Sequence, residues 1–237
     1  NASGEVEFDG TTGWLVGEPG RGVPTIIEMV NTTRLDCVLG SAATVRAALT
    51  QAIHHVRHRR AFGALLADQP LMQNVLADLA VESEASTALA VRLAAAVDAG
   101  ESDFLRLAGA AAKFWVCTRT PTAVAEALEV LGGNGYVEES GLPRLYRQAP
   151  LNSIWEGSGN VIALDVLRAM GRSSASLAAV RAEIDLARGA DARLDAAVGR
   201  LVAELADPEQ LPVRARRIAG LLALCLQASL LLQHAPA

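Results

Sequence analysis

Apolar residues recur at intervals of three and four along most of the chain. From residue 24 to about residue 60 this spacing is unbroken, which predicts one long helix. Similar patterns predict a second helix over residues 69–99 and a third over residues 103–131, with Ser102 able to cap the third. Because Pro121 lies inside the third pattern, we expect it to kink or split that helix.

A fourth helix is predicted over residues 157–170, after an irregular stretch that holds one helical turn near residues 144–147. Four helices joined by short breaks favour an up-and-down bundle. Three more helices are predicted after Gly171, over residues 176–189, 191–206 and 211–233. The apolar run 218–232 in the last of them is too short for a comfortable membrane span, so it indicates a buried helix.

Two short segments, residues 5–10 and 13–17, precede the bundle and are strand candidates. Two short strands cannot form a stable sheet alone, so they are expected to be the remnant of a β-domain. The predicted fold class is therefore all-α: a four-helix bundle with a short β remnant in front and a helical extension behind. The expected division is residues 1–20 for the remnant, 21–171 for the bundle and 172–237 for the extension.

Composition narrows the class of protein. The chain has 237 residues, 51% of them apolar and only 4% aromatic, which suits close-packed helices. Its net charge of −5 argues against a generic polyanion binder. Cys37, Cys117 and Cys225 are far apart and indicate reduced, buried thiols rather than a metal site. With no signal peptide visible at the start, we expect a cytoplasmic protein with no membrane segment and no metal.

Two motifs have a structural and a functional interpretation. The run at residues 59–63 is RRAFG, and taken alone it is an ordinary end of a helix. The run at residues 132–136 is GGNGY, which can expose several backbone N–H groups to a phosphate. It can equally be a tight turn without a ligand.

The third motif carries a carboxylate. Residues 154–158 read IWEGS, so Glu156 stands between a tryptophan and a glycine just before a helix. An apolar wall beside it would suit this carboxylate to proton abstraction. The alternative is that Glu156 is a helix-start residue that interacts with the helix dipole.

The order and spacing of these motifs resemble the acyl-CoA dehydrogenase family. Arg147 and Ile154 fit the last motif of that family, and Lys113 stands where its third bundle helix usually has a lysine. The resemblance covers residues 13–170. Several further runs resemble its AidB-type alkylation-response branch, which also carries extra helices after the bundle: residues 33–37, 69–72, 142–147, 152–160 and 164–168.

The resemblance implies FAD-dependent α,β-dehydrogenation of an acyl-CoA thioester, with Glu156 as the catalytic base. Since Thr33 stands where some members place that glutamate, Glu156 is the better candidate. The resemblance assigns FAD contacts to Arg59, Phe62, Gln69, Glu129, Gly132, Gly133, Asn134, Gly135, Ser158 and Asn160. It assigns the substrate side to Asn31, Thr33, Arg34 and Gly157. Arg59 and Gln69 would reach the FAD of a neighbouring subunit, which implies a homodimer or homotetramer.

Three positions depart from the family pattern. Glu129 replaces the usual glutamine before the glycine turn. An acid near phosphates is repelled by them, which weakens the FAD contact that the resemblance assigns to this position. Gln148 replaces the aspartate of the usual Arg-Asp-Ala run, and Trp155 replaces a tyrosine, which narrows the acyl channel.

A rival function is that of a DNA-associated flavoprotein of the alkylation response with little dehydrogenase activity. From Gly171 onward there are eight arginines against seven acidic residues, a weak electrostatic footprint for DNA. Only Arg214, Arg216 and Arg217 cluster. A third possibility is a bundle that serves oligomerisation alone.

Overall fold

Helices make up nearly all the regular structure in residues 4–235, the part of the chain that the computed structural model describes (the side chain of Glu28 excepted). In chain order the helices are α1 Gly22–His58, α2 Pro70–Asp98, α3 Ser102–Val130, α4 Gly133–Tyr136, α5 Leu142–Gln148, α6 Gly159–Arg172, α7 Ser174–Asp185, α8 Ala192–Glu204 and α9 Leu211–His234. Short 3-10 turns occupy Leu66–Asp68, Glu138–Ser140, Leu151–Ser153 and Pro208–Gln210. The all-α prediction is confirmed.

The bundle consists of α1, α2, α3 and α6. Helices α1 and α3 run parallel, because Cys37 lies against Cys117 near their middle and Val56 shares an apolar cluster with Val130 near their ends. The apolar positions that recur at threes and fours on α1 are buried, as the pattern predicts: Val38, Ala42, Val45, Leu49, Ala52 and Val56.

The helical extension, α7 to α9, packs onto the bundle. Leu222 and Leu226 of α9 are no more than 2% exposed and share one apolar cluster with Leu89 and Leu93 of α2. The segment Pro208–His234 has the length and hydropathy of a membrane span, but 61% of its most apolar part is buried inside the protein. It is therefore the buried helix that the sequence predicts.

Two details of α3 correct the sequence predictions. Pro121 does not split the helix, which continues from Ser102 to Val130. A proline removes one helical hydrogen bond, but the buried residues on both sides of it keep α3 packed against its neighbours. The capping residue is Glu101 rather than Ser102, and its side chain makes no capping hydrogen bond.

The strand predictions for residues 5–10 and 13–17 are wrong, since the described residues before α1 contain no strand and lie exposed. Short segments without a partner edge have nothing to pair with. The only strands of the described chain form a hairpin, β1 Arg60–Ala61 and β2 Ala64–Leu65. Phe62 and Gly63 form its turn with φ of 52° and 84°, the pattern of a type I′ turn. The division of the chain at residues 20 and 171 stays a prediction.

Candidate functional site

Glu156 lies in a strained loop between the 3-10 turn Leu151–Ser153 and α6. It is partly buried, and its φ of +58° is left-handed, a conformation that costs an ordinary residue free energy. Gly157 follows with φ of +106°. The backbone angle favours glycine here, and a Cβ at Gly157 would also come within 2.8 Å of the end of the Ile162 side chain, which would have to shift.

Two cations from different helices hold this loop. Arg34 of α1 donates from Nε to the Glu156 carbonyl at 3.1 Å, and Lys113 of α3 donates from Nζ to the Gly157 carbonyl at 2.5 Å. The structure thus brings Glu156, Gly157 and Arg34 together. Thr33, which precedes Arg34 on α1, donates a hydrogen bond from its hydroxyl to the carbonyl of Val30 in the same helix. Asn31 is exposed one turn before Arg34.

Asp165 anchors the guanidinium of Arg34, a role that sequence reasoning missed. Its carboxylate is 3.1 Å from Arg34, 2.9 Å from Arg106 and 3.0 Å from Arg168. Burial raises the pKa of Asp165, but hydrogen bonding to Arg106 and the charges of all three arginines outweigh burial and leave the pKa below its ordinary value of 3.8. The sequence did contain a signal for this role. Asp165 is an acid on the apolar face of α6, and a buried carboxylate needs cationic or hydrogen-bonding partners.

Trp155 is fixed by a short chain of hydrogen bonds. Its Nε1 donates to the Asn152 side-chain oxygen at 3.0 Å, and Asn152 donates to the Ser41 hydroxyl at 3.1 Å. Ser41 is fully buried in α1. The Trp155 indole, which is expected to form an apolar wall beside Glu156, is therefore held in its orientation by a residue of α1. Trp155 nevertheless remains 39% exposed.

The start of α6 is suited to an anion. Ser158 is its N-terminal cap residue but makes no side-chain capping bond, and the first turn carries no acidic residue. Free N–H groups at a helix N-terminus attract phosphate. Asn160, in the same turn, accepts a 3.0 Å hydrogen bond from Arg216 of α9. Gly159 leaves space for this arginine, since a Cβ there would lie 3.0 Å from the guanidinium.

The remaining predicted cofactor residues lie at the far end of the bundle. Arg59 is exposed just after α1, and Phe62 at the hairpin tip is 96% exposed. Gln69 donates to the Ala61 carbonyl at 3.5 Å and so ties the hairpin to the start of α2. The Phe62 ring stands in solvent on a strained turn, so it gains no stabilisation from burial in the core of the chain.

The glycine turn lies at this same end, after α3. Gly132 has φ of +59°, and Gly133 and Asn134 are exposed at the start of the short helix α4. Gly135 is buried, and a Cβ on it would come within 2.1 Å of a backbone carbonyl. Glu129 lines an open cavity of about 930 Å³ together with Gly132.

The predicted site residues thus form two groups. We call residues 31–34 and 156–160 the loop group, and residues 59–69 and 129–135 the hairpin group. Arg34 and His58 are 24 positions apart on α1. At about 1.5 Å per residue the two groups are therefore separated by about 36 Å, more than the diameter of a small domain. One small molecule bound to a single chain would touch only one group.

A cavity of about 560 Å³ lies beside the loop group, at the start of α1 and α3. Asn31 and Arg34 line it, together with Leu35, Leu93 and Leu105, but Glu156 does not. Glu156 therefore lies outside this cavity.

The arginine cluster of the extension is engaged within the protein. Arg217 forms an ion pair with Glu204 at 2.8 Å, and Arg214 lies 3.6 Å from the same carboxylate. Arg216 hydrogen-bonds to Asn160 and stacks over the ring of Phe114, 5.1 Å from its centre. The Glu204 carboxylate offsets part of the positive potential that Arg214 and Arg217 could offer to DNA, and Arg216 is held against α3 and α6.

The fold places this chain in the class of all-α four-helix bundle domains, with a glutamate on a strained loop before the fourth helix of the bundle. The family model described as acyl-CoA dehydrogenase, C-terminal domain, matches residues 20–171. The chain therefore belongs to the acyl-CoA dehydrogenase family.

The individual relatives differ in how much of this chain they match. AidB of Escherichia coli, a provisionally assigned acyl-CoA dehydrogenase, is 48% identical over 214 residues, covering 89% of this chain and 40% of AidB. The structure of Caenorhabditis elegans ACDH-11 in complex with C11-CoA has a TM-score of 0.83 at 30% identity, covering 93% of this chain and 42% of that one. Butyryl-CoA dehydrogenase of Megasphaera elsdenii has a TM-score of 0.62 at 26% identity, covering 66% and 40%. The similarity to AidB and ACDH-11 thus reaches into the extension. The chain spans about 40% of the length of AidB.

Proposed function

We propose that this chain supplies the helical half of an FAD-dependent acyl-CoA dehydrogenase active site, with Glu156 as the base. The observation that carries the proposal is the loop at Glu156, whose left-handed backbone is held by hydrogen bonds from α1 and α3. Strain of this kind persists only where the surroundings enforce it, and it is concentrated at functional sites.

The proposed chemistry is that of the acyl-CoA dehydrogenase family. The Glu156 carboxylate removes the α-proton of the acyl-CoA thioester. The backbone N–H of Glu156 donates to the thioester carbonyl, which makes that proton more acidic. FAD, when bound, supplies the redox chemistry by accepting hydride from the β-carbon. Asn31, Thr33, Arg34 and Gly157 lie on the substrate side.

The residues of this chain fit FAD at two places. The uncapped start of α6, with Ser158 and Asn160, suits a phosphate of the cofactor. The hairpin group, with the exposed Arg59 and Phe62, suits the dinucleotide of a neighbouring subunit, since about 36 Å of helix separates the two groups. Glu129 is the exception, because its charge opposes phosphate. A homodimer or homotetramer would bring the two groups together.

The test of the base is Glu156→Gln in the complete gene product. Glutamine has a similar size but cannot accept the proton, so we expect FAD to be retained and acyl-CoA oxidation to fall by about a hundredfold or more. The measurement is turnover with an artificial electron acceptor, alongside the flavin absorbance of the purified variant.

Glu126→Gln is the matched control, because Glu126 is exposed on α3 away from the loop. It should leave turnover unchanged. If Glu156→Gln turned over at the rate of the control, Glu156 would not be the base.

A second prediction concerns residues 1–237 alone. They offer FAD the start of α6 and the hairpin group, so much of the bound cofactor would remain in water, and affinity falls steeply when a ligand is poorly enclosed. We expect weak or no FAD binding and no acyl-CoA oxidation by this chain alone. Titration followed by flavin fluorescence measures it, and tight stoichiometric binding with bleaching by acyl-CoA would contradict it.

We do not favour DNA binding as the function, because Arg214 and Arg217 are engaged with Glu204 and Arg216 with Asn160. We place the protein in the cytoplasm because Cys37, Cys117 and Cys225 are free and buried.

A further inference from the structure

Lys113 is the only lysine of the chain, and it is 1% exposed in the middle of α3. A buried ammonium group is costly unless it is paired. Within residues 4–235 the hydrogen bond to the Gly157 carbonyl is the only one that the Lys113 side chain makes, and no carboxylate of the described side chains lies within 4.0 Å of its Nζ. The chain thus places its one lysine where it interacts with a single backbone oxygen of the Glu156 loop.

The groups around Lys113 act on its charge in opposite directions. Burial lowers its pKa below the ordinary 10.5, the thiols of Cys117 and Cys37 raise it, Arg34 lowers it, and Glu156 raises it. These groups face Lys113 from α1, from α3 and from the loop. The short contact to the Gly157 carbonyl is the one hydrogen bond of the described chain in which the Lys113 side chain offsets the cost of its burial.

The loop has little local support of its own. Glu156 and Gly157 both have positive φ, and Ser158 makes no side-chain capping bond at the start of α6. Two consecutive carbonyls are instead held from outside, that of Glu156 by Arg34 and that of Gly157 by Lys113. The two contacts fix the peptide planes on either side of the Gly157 α-carbon. Because the first of these planes also adjoins the Glu156 α-carbon, they limit backbone rotation at both residues.

We propose that Lys113 is a positioning residue: by holding the Gly157 carbonyl it keeps Glu156 in its left-handed conformation, and so sets the carboxylate against the α-proton of the substrate. This inference rests on the proposed function of Glu156. Lys113 itself touches neither substrate nor cofactor, and it acts only through the loop.

The test compares Lys113→Met and Lys113→Gln in the complete gene product. Methionine fills a similar volume but leaves the Gly157 carbonyl without a donor, whereas glutamine retains an N–H. We expect kcat to fall by about tenfold to a hundredfold in Lys113→Met, as small misplacements of a catalytic group do, with partial recovery in Lys113→Gln. KM for the acyl-CoA should change by less than about threefold, because ground-state binding is not the target.

Thr120→Val is the matched control. Thr120 is equally buried on α3, and its hydroxyl bonds only to Val116 of the same helix. This variant should lose some thermal stability and keep the kcat of the wild type. If Lys113→Met, folded and flavin-loaded, kept that kcat as well, the proposal would be overturned.

A second arm does not depend on activity. Hydrogen exchange of residues 1–237 should become faster in peptides covering residues 151–160 of Lys113→Met and unchanged there in Thr120→Val. If the wild-type protein does not oxidise acyl-CoA while this difference appears, the proposed function fails and the positioning of the loop by Lys113 stands. Unchanged exchange of the loop in Lys113→Met would overturn the inference.

The wild-type chain provides a third measurement that needs no variant. Because Lys113 is the only lysine, labelling with ¹³C at the lysine ε-carbon gives one NMR signal. We expect this signal to titrate below the range of an ordinary lysine. A signal that titrates like a solvent-exposed lysine would contradict the buried contact to Gly157 and with it the proposal.

Discussion

At the scale of single residues, the loop that carries Glu156 depends on charges buried behind it. Asp165 is 6% exposed and holds Arg34, which in turn binds the Glu156 carbonyl. Arg106 and Arg168 complete the set around this carboxylate. The ion pairs of Asp165 therefore hold Arg34 in place, and Arg34 in turn holds the backbone of the proposed base.

Asp165→Asn tests this network through stability. We expect the free energy of unfolding to fall by about 2 kcal/mol near neutral pH, because three cations lose their shared carboxylate and solvent screens Arg106 and Arg168 only in part. The folded pKa of Asp165 lies below the ordinary 3.8, so its contribution is fully present above about pH 5 and disappears as the pH falls through the folded pKa.

Thermal denaturation of wild type and variant from neutral to acid pH measures this difference. Asp185→Asn is the control, since Asp185 pairs with Arg181 and Arg188 at the surface, and surface pairs contribute only about 0–1 kcal/mol. A difference between Asp165→Asn and wild type that stayed constant down to acid pH would show that lost charge is not the cause.

At the scale of secondary structure, the β1–β2 hairpin has features that its own chain does not explain. A type I′ turn favours asparagine or glycine at both central positions, yet the first is Phe62, at φ of 52° and 96% exposed. The ring has almost no contact that would offset the strain. This arrangement is typical of a side chain that contacts a partner, in agreement with the proposed cofactor contact across a subunit interface.

Phe62→Asn should therefore make the single chain more stable and the assembly weaker. Asparagine tolerates the left-handed conformation, so we expect a gain of about 1 kcal/mol, a rise in Tm of about 2–4 °C. Sedimentation should show a lower self-association constant, because the exposed ring is lost from the proposed interface.

Gly63→Ala is the matched change at the other turn position. Its φ of 84° disfavours any Cβ, although no atom lies within 4 Å of one. The Gly63→Ala substitution should lower Tm and leave the ring of Phe62 in place. If Phe62→Asn destabilised the chain as Gly63→Ala does, the strain argument would be wrong.

At the scale of the whole molecule, the bundle and the extension share one core. The largest apolar cluster contains Leu89 of α2 and Phe104 of α3 together with Ile184 of α7 and Leu226 of α9. Arg92 of α2 also reaches across to Glu183 of α7 at 2.9 Å. A core that is continuous across both parts predicts that they unfold together.

Calorimetry should accordingly show one unfolding transition. Leu226→Ala, at a fully buried position of α9, should lower the stability of the whole chain by about 2–5 kcal/mol and keep a single transition. Leu186→Ala, which is 68% exposed, should change it by less than about 0.5 kcal/mol. A separate early transition confined to α7–α9 would show that the extension is an independent unit.

The sequence by itself determined the helices. The spans predicted for α1, α2, α3 and α9 agree with the structure to within a few residues, because a helix is set by the spacing of apolar residues within one continuous segment. The glycines after α3 and the glutamate before α6 could also be found, because short motifs keep their residues adjacent. Pro121 shows the limit, since tertiary packing overrode the local signal.

Only the tertiary structure decided how the site is held. Arg34 and Glu156 are 122 positions apart and Lys113 and Gly157 are 44 apart, so no local pattern relates them. The positive φ of Glu156 opposes the preference of a glutamate and exists because contacts from α1 and α3 enforce it. Local preference reflects the free energy of a segment alone, whereas these features depend on the packing of α1, α3 and α6 around a shared loop.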